Sequence, residues 1–211
     1  MASDLVVLGS GGHAKVIIEA VRARSPDRHI VLLDDNAEAT DRTVLGIPVS
    51  GPRTWLASNL PGAPVALGIG DNRARLAVLE WLLSQGREVE TVIHPSAIVG
   101  ATVEIGPGAF LAAGSVAIAD TRIGRAAIIN TAASVDHDCD IGDAVHIGPG
   151  VRLCGNVRVG ARSLVGVGAA VRPGVTIGAD TIIGAGSAVV ADLPGGGTYA
   201  GCPARPICSG R

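Results

Sequence analysis

The sequence predicts two units in one chain, a small α/β unit over residues 1–90 and a parallel β-helix with a C-terminal tail over residues 91–211. Three observations carry that reading. Strand and helix patterns alternate in the first part; an aliphatic residue recurs at every sixth position from Ile93 to Val189; and the 211 residues hold 30 Gly but only two Trp, one Tyr and one Phe. A core without large rings is thin and regular, which suits stacked short strands better than layered sheets and helices.

In the first unit, "LVVLG" from Leu5 is a short buried-type strand, and the Gly-rich turn after it opens a helix. In "HAKVIIEAVRAR", Val16, Ile17, Ala20 and Val21 fall at helical spacing. "HIVLLDD" supplies a second strand, "PVALGIGD" a third, "NRARLAVLEWLLSQ" a second helix, and "EVETVI" a last short strand. Such alternation predicts βαβ connections, a parallel sheet and a Rossmann-like unit. The turn with Gly9, Gly11 and Gly12 stands where backbone amides at a helix start meet phosphate. Its spacing departs from the usual dinucleotide fingerprint, and the unit is shorter than a two-half NAD domain, so a tight turn without a ligand is the competing reading.

The second unit is set by its period. Ile93, Val99, Ile105, Leu111, Ala117 and Ile123 begin a six-residue ladder that runs unbroken to Val189, and four residues after each of the first sixteen comes a small or β-branched residue such as Ala97, Val103, Ala109, Ser115, Cys139 or Ser187. Glycine often follows the aliphatic, as at Gly100, Gly124 and Gly160, an arrangement expected of backbone turns that other residues enter with strain. This pattern resembles the hexapeptide repeat of left-handed β-helix acyltransferases, in which three hexapeptides make one triangular coil.

Composition excludes several classes. The net charge is −2, Lys15 is the only lysine and there is no Lys/Arg run, so neither nucleic acid nor an anionic membrane is an expected partner. No apolar run is long enough to span a bilayer, and the start enters a strand without a charged n-region, which predicts a cytoplasmic protein. Cys139, Cys154, Cys202 and Cys208 form no CxxC pair, so no disulfide framework and no metal site is expected. A metal-dependent hydratase on a β-helix would need three imidazoles at one site, and this helix offers only His94, His137 and His146, with no close pair.

On a prism of eighteen-residue coils, His137 and His146 are half a coil apart and therefore on opposite sides of their own chain. Gly155 stacks over His137, while Asn130, His146, Val167 and Ala185 fall on the opposite region. If both imidazoles serve one site, it lies between subunits, and a ring-shaped homotrimer supplies that closure. His94 reads as the entry to the solenoid and Cys139 as inward packing.

The motif "NTAASVDHDCDIGDAVHIGPGVRLCGNVRVG", with "GSGGHAKV" and "GCPARP", resembles the nucleotide-sugar N-acetyltransferase and sialic acid O-acetyltransferase family of hexapeptide enzymes over nearly the whole chain. The resemblance implies His137 as general base, Asp138 as the carboxylate that supports its basicity, and His146 as a contact to acetyl-CoA. It places Asn130, Gly155, Val167 and Ala185 along the cofactor. It also implies a nucleotide-activated amino sugar on the first unit, with Gly11, Gly12 and His13 near the diphosphate and sugar, Asp34 and Asp35 near the base or ribose, and Gly70, Asp71 and Asn72 on the third strand's end. The expected reaction is acetyl transfer to the amine of a UDP- or GDP-linked 4-amino-4,6-dideoxy sugar. Sugar O-acetylation and a non-catalytic binding or scaffold β-helix are the alternatives.

Overall fold

A computed structural model describes residues 4–39 and 42–207. The first unit is a five-stranded sheet in the order β3-β4-β2-β1-β5, made of β1 (Leu5–Leu8), β2 (Ile30–Leu33), β3 (Thr43–Val44), β4 (Ile47–Gly51) and β5 (Val65–Leu67). Helices α1 (Gly12–Arg24), α2 (Trp55–Asn59) and α3 (Asn72–Ser84) pack on it. β1, β2 and β5 are wholly buried, which explains their continuous apolar runs. β1 pairs in parallel with β2 on one side and β5 on the other, so the chain reverses its winding at β1 and leaves a crevice beyond the carboxyl ends of these strands.

Two features depart from the sequence reading. The β3–β4 hairpin and the short α2 fill the stretch between "HIVLLDD" and "PVALGIGD", which carries too little alternation to read as strands. "EVETVI" is not a strand of the first sheet. It makes one bridge, Val89 to Val65, and then Val92–Ile93 pairs with Phe110–Leu111 as the opening strand of the β-helix.

From Val92 to Val189 the chain forms seventeen two-residue strands, and each ends on a residue of the aliphatic ladder. They stack in parallel on three faces with a register of eighteen, as in Val116↔Ser134 and Ile123↔Ile141. One face runs from Ile98–Val99 to Ala188–Val189, a second from Glu104–Ile105 to Thr176–Ile177, and a third from Val92–Ile93 through His146–Ile147 to Ile182–Ile183, extended by Thr198–Ala200 and Arg205–Pro206. Ladder residues and the small residues four positions on form the buried interior, Cys139 among them. Cys208 lies outside the described residues.

The glycines after the ladder residues are needed for a reason other than turn strain. Gly124 and Gly160 do not adopt positive φ; a Cβ there would stand 2.6 Å from Gly142 C and 2.3 Å from Ala179 N, backbone atoms of the next coil. They are small because coils touch. Positive φ instead occurs three residues after the ladder, at Gly108, Gly114 and every sixth residue to Gly186, and it is taken by Asp, Ala, Asn and Arg as well as Gly. Asp138, at φ 57, is one of these corners.

The only Phe shows how the two units join. Phe110 points outward from the third face, is 2% exposed, and packs edge-on against the His13 ring with centroids 5.3 Å apart. Ile128, Ala126 and Ala144 of the β-helix also join the first unit's apolar clusters. Burial of one such ring contributes about 1.5–3 kcal/mol to the seam.

Candidate active site

His137 stands at the corner between the first and second faces, with its ring over Gly155. The left-handed turn at Asp138 swings its carboxylate back, so that Oδ2 lies 2.7 Å from His137 Nδ1. The short side chain of Asp therefore reaches the ring. The hydrogen bond to Asp138, aided by the charge of Asp136, raises the His137 pKa above its ordinary value, and Asp136 Oδ1 accepts from the His137 backbone N–H at 2.9 Å. A carboxylate on Nδ1 fixes the tautomer that leaves Nε2 free to take a proton.

His146 lies on the third face in a contrasting environment. Burial, reinforced by the Arg75 cation, lowers its pKa to about 4. Asn130 lies 2.9 Å away through Nδ2, and its Oδ1 accepts from the Thr131 backbone N–H, which orients the amide. Asn130 therefore donates to His146 Nε2, and the neutral ring carries its proton on Nδ1. The exposed Val167 (53%) and Ala185 follow on the same edge as an apolar strip. Asn130, His146, Val167 and Ala185 thus share one region, and His137 with Gly155 occupies the opposite corner. No group of three or more His, Cys, Asp or Glu among the described residues is arranged to hold a metal.

The candidates of the first unit gather at the strand ends. Gly11 caps α1, and a Cβ on Gly11 or Gly12 would meet nothing within 4 Å, so the helix start opens to solvent. His13 is enclosed; burial, then the charges of Arg75 and His146, lower its pKa to about 3, and its Nε2 is buried without a hydrogen-bond partner. Asp34 is already engaged. Burial would raise its pKa, but Oδ2 accepts from the Ser10 hydroxyl (2.6 Å) and backbone N–H (2.7 Å), Oδ1 accepts from Asn36 N–H, and together these hold it below the ordinary carboxylate range. It braces the Gly-rich turn rather than presenting a free carboxylate. Asp35 accepts from the Arg53 backbone N–H at 2.9 Å and pairs with its side chain at 3.1 Å.

Gly70, Asp71 and Asn72 line a 330 Å³ cleft together with His146, Arg73 and Arg162. Asn72 Nδ2 donates to the carbonyls of Arg162 and Ser163, both at 3.1 Å. Asp180 receives Arg73 at 2.6 Å and Arg162 at 2.6 Å. The cleft bridges the units. A 580 Å³ cavity between α2 and α3, where Arg53 stacks 4.8 Å over Trp81, holds none of the candidates named from sequence.

Comparison with known proteins decides the family. The PglD N-terminal domain model matches residues 4–82. PerB from Caulobacter crescentus, solved in complex with CoA and GDP-perosamine, is 44% identical with a TM-score of 0.91, and the match covers 98% of both chains. The chain belongs to the hexapeptide-repeat family of nucleotide-amino-sugar N-acetyltransferases. The acetyltransferase domain of PglB from Neisseria gonorrhoeae FA1090, in complex with acetyl coenzyme A, is 39% identical with a TM-score of 0.93 over 98% of this chain and 100% of that one. UDP-N-acetylbacillosamine N-acetyltransferase of Bacillus subtilis (strain 168) is 41% identical over 113 residues, 52% of this chain, and the match spans about half (51%) of that protein's length.

Sequence reading missed Arg75, Arg162, Asp180 and the outward Phe110. For Arg75 a signal existed: it falls in the helical stripe of Val78, Leu79 and Leu82, where an arginine is out of place unless its guanidinium is fully bonded.

Proposed function

We propose that this protein transfers the acetyl group of acetyl-CoA to the amine of a GDP- or UDP-linked 4-amino-4,6-dideoxy sugar, in the cytoplasm, as a homotrimer with its sites between subunits. The observation that carries the reading is the His137–Asp138 pair: an exposed imidazole whose Nδ1 is held by a carboxylate and whose Nε2 is free. Residues 1–90 bind the activated sugar and residues 91–211 carry out the transfer.

Acetyl-CoA supplies the activated acyl thioester when bound. The sugar amine attacks the thioester carbon, a C–N bond forms as the C–S bond breaks, and the amine proton passes to His137 Nε2 while CoA leaves as the thiolate, to be protonated. Asp138 stabilises the imidazolium that forms. His146, neutral and protonated on Nδ1, is the donor available to the thioester carbonyl, where negative charge develops. The open start of α1 receives the diphosphate at Gly11 and Gly12, and the orphaned Nε2 of His13 offers a polar contact beside it. Because His137 and His146 stand on opposite sides of one prism, each site takes His137 from one chain and His146 from a second.

A thiol-release assay with acetyl-CoA and GDP- or UDP-linked 4-amino-4,6-dideoxyhexoses tests this reading. Release of CoA with matching amide product supports it; no release with either series, from protein that binds acetyl-CoA, contradicts it.

A further inference from the structure

Arg75 is 1% exposed, and its guanidinium donates to four backbone carbonyls and one side-chain amide oxygen. Its donors span the seam. On the side of the first unit, Nη1 donates to the carbonyls of Ile69 (3.2 Å) and Gly70 (2.8 Å), and Nη2 donates to Asn72 Oδ1 (2.8 Å). On the β-helix side, Nε donates to Ala126 O (2.8 Å) and Nη2 to Ala144 O (3.1 Å). Ala126 and Ala144 are stacked corners with φ 51 and 53, and Ala144 lies two residues before His146. One rigid fork thus holds the loop 69–72 and the corner that feeds His146.

Burying a guanidinium is costly, and burial lowers the pKa of Arg75 to about 10. An apolar residue at this helix position would leave those five acceptors without a donor, so the cation serves the seam between the units as well as the packing of α3. The charge of Arg75 also presses on both His13 and His146 and favours their neutral forms.

We infer that Arg75 is a positioning residue, which fixes the nucleotide-sugar loop Gly70–Asn72 against the His146 corner so that an amine bound on one unit meets a thioester bound on the other. The inference rests on the proposed acetyl transfer. Arg75 touches neither set of binding candidates except through Gly70 and Asn72, so its loss should leave each substrate bound but misaligned. A displacement near 1 Å costs on the order of 10²-fold in rate.

The test uses the full-length Arg75→Gln and Arg75→Lys variants, the latter keeping a donor and a charge in case Gln does not fold. For each, kcat per folded active site is compared with the Kd of acetyl-CoA and of the nucleotide sugar, measured separately by calorimetry. The expected result is a fall in kcat of roughly 10²-fold for Gln and a smaller fall for Lys, with both Kd values within about threefold of wild type. Unchanged kcat per folded site, with only lower thermal stability, would reduce Arg75 to a structural bond and overturn the inference. A loss of nucleotide-sugar affinity equal to the loss in kcat/KM would overturn it too.

A second readout keeps failure of the activity reading distinct. The groups around the His146 ring are Arg73 and Arg75 on α3, Asp71 at its N-cap, His13 on α1, and Arg162 and Asp180 on the β-helix. In wild-type protein the His146 ring resonances should titrate near pH 4, and in Arg75→Gln the midpoint should rise while burial keeps it below 6.5. A wild type inactive on every nucleotide amino sugar sinks the activity reading alone; a His146 midpoint unmoved by Arg75→Gln sinks the clamp.

Discussion

The ring of His137 leaves no room for a side chain at position 155: a Cβ on Gly155 would stand 2.4 Å from both Cε1 and Nε2. Gly155 lies one coil above His137, and its neighbour Asn156 donates from its backbone N–H to the His137 carbonyl at 2.8 Å. The place of the proposed base is therefore shaped by a residue with no chemistry of its own. Gly155→Ala should push the ring off the Asp138 carboxylate and lower kcat at least tenfold, while the melting temperature stays close to wild type because the displaced ring is exposed. Normal kcat in Gly155→Ala would show that the ring position is not critical.

His137→Asn or Ala should lower kcat by roughly 10²- to 10⁴-fold, the range for loss of a general base. The side chain points away from the prism, so assembly and thermal stability should match wild type by light scattering and calorimetry.

Substitutions at the first unit should act on binding. His13→Ala or Asp35→Ala should raise the KM for the nucleotide sugar several-fold and leave the calorimetric affinity for acetyl-CoA nearly intact, since contacts remote from the reacting carbon supply mostly uniform binding energy. Collapse of acetyl-CoA affinity in a folded variant would reassign these residues.

A site shared between chains has a genetic signature. Chains carrying His137→Ala and chains carrying His146→Ala, each inactive alone, should regain activity when unfolded together and reassembled, because some hybrid interfaces combine the intact His of each. Verified mixed trimers without recovery would contradict a site shared between chains.

The β-helix was legible in the sequence because a single geometric demand, one inward aliphatic per short strand, repeats at every sixth residue from Ile93 to Val189. The meaning of the glycines was not. Gly124 and Gly160 look like turn residues in one dimension, and only the stacking of coils shows that their lack of a Cβ spares the next backbone. The resemblance set Asp34 near the base or ribose, and in the structure its carboxylate accepts from the Ser10 hydroxyl. Arg75 was visible only as an anomaly in an apolar stripe, since its partners lie up to 69 residues away in the chain. The pairing of His137 with Asp138 was carried by the resemblance; the left-handed turn that lets a short Asp make it is a property of the coil.

The most direct measurement is kcat/KM against pH for wild type and Asp138→Asn, with one nucleotide amino sugar of known amine pKa so that the amine's titration is common to both. On the proposed mechanism activity requires the unprotonated His137 ring, and in wild type the Asp138 hydrogen bond raises its pKa, so the acidic limb lies at the higher pH. Removing the negative charge lowers that pKa. The limb should therefore move to lower pH in Asp138→Asn, while the plateau falls because the ring is a weaker base and its imidazolium is less stabilised. A limb and plateau both unchanged would contradict the assignment of His137 and Asp138 as the proton-accepting pair.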